Sequence, residues 1–121
     1  MRNKTILLVD DSPTEMKVMQ TALQGKGFNL LMATDGEDAL HKVLHQKPDV
    51  VLLDVVLPKK NGFQVCRQLK TAPETKATKV ILVTSKSQDT DRFWGLKQGA
   101  DEYLTKPINA DELLAAIGRH L

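Results

Sequence analysis

One cysteine, Cys66, stands in the whole chain. A single thiol excludes an intrachain disulfide and a thiolate metal cluster. Long apolar runs are missing as well. No stretch approaches the ~20 residues that a membrane-crossing helix needs. Charge of one sign is also scarce: 17 Lys and Arg face 15 Asp and Glu, for a net +2 and a pI near 8.7. That balance is too mild to argue for a nucleic-acid or membrane surface. The chain has no Walker or Rossmann glycine pattern, and no internal repeat, low-complexity segment or linker. Met1-Arg2-Asn3-Lys4-Thr5 enters a strand at once and leaves no room for a signal peptide, so a cytoplasmic protein is expected. What remains is a chain of 121 residues, 41% hydrophobic and 26% charged. Those figures describe one globular domain able to bury a single core, spanning 1–121 with no output domain.

The chain is arranged around Asp49-Val50-Val51-Leu52-Leu53-Asp54. Four apolar residues run without a polar break between Pro48 and Pro58, the mark of a short strand buried on both faces of a parallel sheet. Asp54 closes it. In open α/β sheets, ligands bind outside the carboxyl ends of the strands. An Asp there is placed for chemistry rather than for packing.

Other segments fall into place around this strand. Ile6–Val9 is strand one, followed by Asp10-Asp11. Ser12 is a good N-cap, Pro13 suits the first helical position, and Glu15 is spaced to complete a capping box. Met16, Met19, Ala22 and Leu23 mark that helix's apolar face, and Gly25 and Gly27 end it. Phe28–Ala33 is strand two. Gly36–Gln46 is helix two, with Ala39, Leu40, Val43 and Leu44 at helical spacing. Asn61 with Gln64 caps helix three over Phe63–Lys70. Val80–Val83 is strand four and ends in Thr84-Ser85. Asp89–Gln98 is helix four, closed by Gly99. Glu102–Thr105 is strand five and ends in Lys106-Pro107. Asn109 with Glu112 caps helix five, which runs to Leu121 with Leu113, Leu114 and Ile117 inward. Five strands alternating with five helices imply a parallel sheet with helices on both faces and right-handed crossovers. Periodicity alone leaves the strand order open.

Four of these strands end in polar groups: Asp10-Asp11, Asp54, Thr84-Ser85 and Lys106. In a parallel sheet such ends share one edge, with neighbouring strands roughly 5 Å apart, so the side chains converge. Crowded carboxylates repel one another unless a cation lies between them. Hard oxygen ligands beside a lysine suggest Mg²⁺ together with a phosphate-like group. A threonine hydroxyl can donate to a phosphoryl oxygen.

With these residues in view, the sequence resembles the CheY-like receiver domains of two-component response regulators. The matching features are Leu8-Val9-Asp10-Asp11-Ser12, Leu53-Asp54 with Leu57-Pro58 and Gly62, Val83-Thr84-Ser85, Gly99-Ala100, and Tyr103-Leu104-Thr105-Lys106-Pro107. They occur in order and cover essentially the whole chain. The resemblance implies sheet order 2-1-3-4-5, as in flavodoxin and CheY. It implies that Asp54 is phosphorylated by a histidine kinase. Asp11, Asp54 and the backbone carbonyl of Val56 would ligate Mg²⁺, with Asp10 helping through water. Lys106 would contact the phosphoryl group, and its bond to Pro107 is expected to be cis. Thr84 would move to the phosphoryl oxygen and Tyr103 would turn inward behind it. That couples local charge to the surface of helix four, strand five and helix five, where a protein target would bind. A monomer is expected, with dimerisation on phosphorylation as the alternative.

Two positions depart from CheY itself. Val56 has neither amide nor carboxylate, and Lys86 is basic. A hydrolysing water would find no orienting acceptor there, so a longer-lived phosphorylated state is expected. Asp11-Ser12-Pro13-Thr14-Glu15-Met16 and Asp91-Arg92-Phe93-Trp94-Gly95 resemble PilH-type stand-alone regulators of pilus-based twitching motility, a chemotaxis-like pathway.

Competing readings fit less well. A phosphatase of the haloacid dehalogenase type, also Mg²⁺-dependent and forming an aspartyl phosphate, needs a second Asp where Val56 stands. A flavodoxin-like electron carrier needs a first loop that cradles phosphate, and Asp10-Asp11 would repel it. A purely structural interaction domain would not need the full set; a phosphate sink, or a degenerate receiver acting as a binding module, is the alternative within the family. Among the remaining residues, Phe93 is expected inward and Trp94 partly exposed, since adjacent helical positions diverge by about 100°. Cys66 is expected to be inert. His41, His45 and His120 are expected at the surface, and Lys59-Lys60 in a solvated loop.

Overall fold

The computed structural model describes residues 3–121; the expectation about a leader falls partly on Met1 and Arg2, outside them. Five strands alternate with five helices: β1 Thr5–Val9, α1 Pro13–Leu23, β2 Asn29–Ala33, α2 Gly36–Gln46, β3 Val50–Leu53, α3 Gly62–Thr71, β4 Lys79–Thr84, α4 Asp89–Lys97, β5 Glu102–Thr105 and α5 Ala110–Arg119. All strand pairs are parallel, in the order β2-β1-β3-β4-β5. The register sets Val9 beside Leu53, Leu53 beside Leu82, and Thr84 beside Thr105.

The inner strands β1, β3 and β4 are apolar on both faces, so alternation divides the core into two layers. Ile6, Leu8, Val50, Leu52, Ile81 and Val83 face one way, against Met16, Met19 and Leu23 of α1 and Leu113, Ala116 and Ile117 of α5. Leu7, Val9, Val51, Leu53, Val80 and Leu82 face the other, against Ala39 and Val43 of α2 and Val65, Cys66 and Leu69 of α3. Tyr103 belongs to this second layer.

Helix starts follow their caps. Ser12 Oγ accepts from the Glu15 N–H at 3.3 Å, and Asn109 Oδ1 from the Glu112 N–H at 3.0 Å. Asn61 and Gln64 close the reciprocal box at 3.0 and 3.1 Å. The box expected of Glu15 is not formed. Its carboxylate turns to Lys106 instead, at 3.8 Å, because a buried ammonium is a stronger attraction than one more N–H. Helix five ends at Arg119, short of Leu121.

Helix four departs most from expectation. Phe93 is exposed rather than inward, and Trp94 and Leu96 are exposed with it. Gly95 takes the buried position. A Cβ there would come within 2.8 Å of both Leu82 Cδ1 and Tyr103 Cδ2, so the helix lies too close to the sheet for a larger residue. Leu44, expected on the inner stripe of α2, is also largely exposed.

Candidate functional site

Backbone bonds at the carboxyl ends of the strands set the site. Asp10 N–H donates to Ala33 O at 3.2 Å, Asp54 N–H to Val9 O at 3.0 Å, and Lys106 N–H to Thr84 O at 2.9 Å. Each ladder thus runs one step past its strand and delivers the next side chain to the same edge.

Lys106 is the hub. Its Nζ lies 2.6 Å from Asp10 Oδ2, 3.1 Å from Asp54 Oδ2 and 3.8 Å from Glu15 Oε2. Burial alone would lower the pKa of this ammonium, but Asp10 and Asp54 together hold it above the ordinary lysine value. Burial pushes the Asp10 carboxyl up, against its bonds to Lys106 and to the Ser12 N–H. The Lys106–Pro107 bond is cis.

Asp54 is oriented from two sides. Its Oδ1 accepts from the Val55 N–H at 2.7 Å and, more weakly, from the Val56 N–H at 3.4 Å, while Oδ2 meets Lys106. Gly62 makes this turn possible. Its N–H donates to Val55 O at 2.7 Å, and a Cβ there would fall 2.1 Å from Asp54 O. The Asp54 side chain is about one-tenth exposed, reachable from solvent but not free to wander.

Asp10, Asp11 and Asp54 each offer an oxygen within 4.8 Å of the other two. Asp11 is exposed, and its carboxylate has no hydrogen-bond or ion-pair partner among the described residues. Three hard oxygens, one of them uncommitted, suit a small divalent cation such as Mg²⁺. Val56 is exposed in the loop directly after Val55, beside this cluster in sequence.

Thr84 is buried at the end of β4, and its Oγ1 accepts from the Lys86 N–H at 3.4 Å. Tyr103 is buried too, with its hydroxyl donating to Lys86 O at 2.6 Å. Sequence reasoning missed both links, since each runs through a backbone group. It also missed Glu15 at the rim and Arg92, whose Nη1 donates to Tyr103 O at 2.9 Å.

Other residues lie apart. Cys66 is fully buried and its thiol is pushed up to about 12 by burial, in line with an inert residue. His41 and His45 are exposed and their rings lie 4.3 Å apart, with no third ligand grouped with them among the described residues. His120 is half-buried rather than at the surface, with Nε2 3.2 Å from Glu102 Oε1. In the loop, Lys59 Nζ is 3.8 Å from Asp35 and Lys60 Nζ is 2.8 Å from Gln68 Oε1.

Comparison with known proteins places this edge in context. Protein PilH of Pseudomonas aeruginosa is 50% identical over 112 residues, covering 93% of each chain. The receiver domain of DrrB, solved in a BeF3-activated form, superposes with a TM-score of 0.88 at 35% identity, covering 98% of this chain and 97% of that one. The chemotaxis response regulator CheY4 of Vibrio cholerae superposes with a TM-score of 0.90 at 29% identity, covering 99% and 100%. The model of the response regulator receiver domain matches residues 6–118, and the chain belongs to that family.

Proposed function

We propose that Asp54 is a phosphoacceptor, loaded from a phosphohistidine on a kinase. The observation that carries this is the Lys106 ammonium, seated between Asp10 and Asp54 at 2.6 and 3.1 Å on a sheet edge with an uncommitted carboxylate at Asp11. An Asp54 oxygen attacks phosphorus, the P–N bond breaks, and its electron pair returns to the imidazole. The product is an acyl phosphate. Backbone N–H groups on Oδ1 hold the carboxylate in one pose, which removes part of the orientational cost of the step. Lys106 offers a compact positive charge to the arriving phosphoryl oxygens. Mg²⁺, held by Asp11, Asp54 and Val56 O with Asp10 through water, would supply charge neutralisation between the anions.

Thr84 and Tyr103 are the switch in this reading, and α4, β5 and α5 form the partner surface. Exposed Phe93, Trp94 and Leu96 support that placement. No helix among the described residues is long and apolar enough to cross a membrane, and we place the protein in the cytoplasm. PilH matches over nearly its full length, which supports a stand-alone regulator, 1–121, acting by binding in pilus-based motility. The chain is then a signalling module rather than an enzyme with turnover.

The test is direct. Incubation with Mg²⁺ and acetyl phosphate should raise the intact mass by one phosphoryl group, and Asp54→Ala should abolish the gain. Steady release of phosphate from phosphoesters would instead indicate a phosphatase. With Val56 and Lys86 exposed and unsuited to orienting water, the acyl phosphate should decay over minutes or longer. Val56→Asn with Lys86→Glu should shorten that lifetime by about tenfold. Radiolabel decay within seconds in the unmodified protein would overturn this point.

A further inference from the structure

Tyr103 is enclosed by groups of α4 and the loop before it. The residue is 4% exposed. The hydroxyl donates to Lys86 O at 2.6 Å, and the N–H of the same residue reaches Thr84 Oγ1 at 3.4 Å. A single backbone unit therefore joins the two side chains. Arg92 covers the ring, its guanidinium carbon 5.2 Å from the centroid, while Nη1 donates to Tyr103 O at 2.9 Å. The ring contact favours this ring position, and the bond to the backbone carbonyl holds the guanidinium over it.

Gly95 supplies the room. A Cβ there would sit 2.8 Å from Tyr103 Cδ2, 2.9 Å from Cε2 and 2.8 Å from Leu82 Cδ1. Leu82 is fully buried in a central strand, so relief requires the tyrosine ring or the helix to move.

We propose that Gly95 and Arg92 are positioning residues that hold Tyr103 inward before any phosphoryl group arrives, so that the resting protein already presents the α4 surface in its partner-binding arrangement. The inference rests on the switch reading of Tyr103 given above. Phosphorylation then deepens a populated state rather than creating it, because a ligand shifts an equilibrium only by its differential affinity for the two states. Removing either positioning residue makes the same equilibrium more dependent on phosphorylation.

Tyr103 is the one tyrosine in the chain, so 3-fluorotyrosine gives a single ¹⁹F resonance. In unphosphorylated protein this resonance should lie away from its position in urea. Arg92→Ala and Gly95→Ala should move it toward that position. Arg92→Lys, which keeps the charge but loses the planar fork, should move it part of the way. Phenol titration adds a sign. Burial foremost, then Asp91 and Asp54, raise the Tyr103 hydroxyl above its ordinary value, whereas Arg92 lowers it. If the ring stays in place in Arg92→Ala, loss of the cation drives the pKa further up. If the ring swings out, release from burial brings it down.

A fall in pKa with a solvent-like resonance supports the proposal. A rise, or an unmoved resonance in a folded Gly95→Ala protein, overturns it. Arg92 is exposed, so its variants should fold even if Gly95→Ala does not. All of these measurements use unphosphorylated protein. Failure of Asp54 to take a phosphoryl group would leave them intact, whereas a solvent-like wild-type resonance would overturn this inference alone. In protein whose intact mass shows the added phosphoryl group, acetyl phosphate with Mg²⁺ should shift the resonance more in Arg92→Ala than in the parent; an equal or smaller shift in such protein would overturn the bias.

Discussion

Helices α4 and α5 are nearly equal in length and flank the same edge strand, yet they are held differently. Helix five buries Leu113, Ala116 and Ile117 completely. Helix four buries one residue, Gly95, and leaves Phe93, Trp94 and Leu96 in solvent. Apolar area removed from water fixes a helix to its sheet at about 25 cal/mol per Å². Helix five is therefore an anchor. Helix four is retained by a close backbone approach and by directional contacts through Arg92, Lys86 and Tyr103. Directional contacts can be exchanged for others at modest cost, which a continuous apolar seam cannot. Within one small domain, the element we propose as partner-facing is the one with least of its own core.

The largest expected effect tests that contrast in energy. Ile117→Ala should cost about 2–5 kcal/mol of stability, the usual range for deleting a buried aliphatic side chain. Trp94→Ala and Phe93→Ala should each stay within about 0.5 kcal/mol, as for exposed positions. Urea unfolding of the three variants decides it. Comparable losses at both helices would remove the distinction between anchor and adjustable element. Native-state hydrogen exchange should agree, with α4 amides opening well before those of α5.

The same contrast explains which parts of the molecule were readable from the residues alone. Every element was visible, and α2, β3 and β5 fell on their observed bounds, because each pairs clear apolar spacing with a turn or cap signal. The site edge followed from elementary geometry: Asp10, Asp54 and Lys106 each come directly after a strand. Strand order required the family resemblance, since both faces of every inner strand are apolar and periodicity does not distinguish neighbours. Helix four was misread because hydrophobic spacing rewards large residues facing inward, and the inward residue is a glycine. Glu15 was assigned to its cap because sequence spacing cannot see an ammonium arriving from β5. His120 looked solvated because Glu102 lies 18 positions away in the chain.

A second, smaller effect sharpens the comparison at the seam between α3 and α4. Cys66 Sγ contacts Gln98 O at 3.6 Å, just past the end of α4. With its thiol pushed up to about 12, little thiolate exists at pH 8, and the buried sulfur is shielded from reagents. Disulfide-exchange labelling should run at least ~10³-fold slower than for a free thiol. If α4 opens on its own, Gly95→Ala should accelerate labelling while Ile117→Ala does so only as far as global stability falls. Equal acceleration by both would mean that Cys66 is reached only through whole-molecule unfolding.

The smallest effect concerns how α5 is pinned at its far end. Arg119 Nε and Nη2 meet the two Glu102 oxygens at 2.5 and 2.7 Å, and His120 Nε2 lies 3.2 Å away. The Arg119 bond foremost holds the Glu102 carboxyl below its usual 4.5, against a smaller opposing push from burial. A depressed carboxylate favours the folded state above the pKa of the unfolded chain, and the benefit fades as pH falls through the folded value. Glu102→Gln should therefore melt slightly below the parent at pH 6–7, the gap narrowing from about pH 4.5 downward and closing once Glu102 is protonated in both states. Because the Arg119 side chain is largely exposed, the gap at neutral pH should shrink with added salt. A gap that stayed constant across pH and salt would assign the clasp to packing, and α5 would then be anchored by its apolar seam alone.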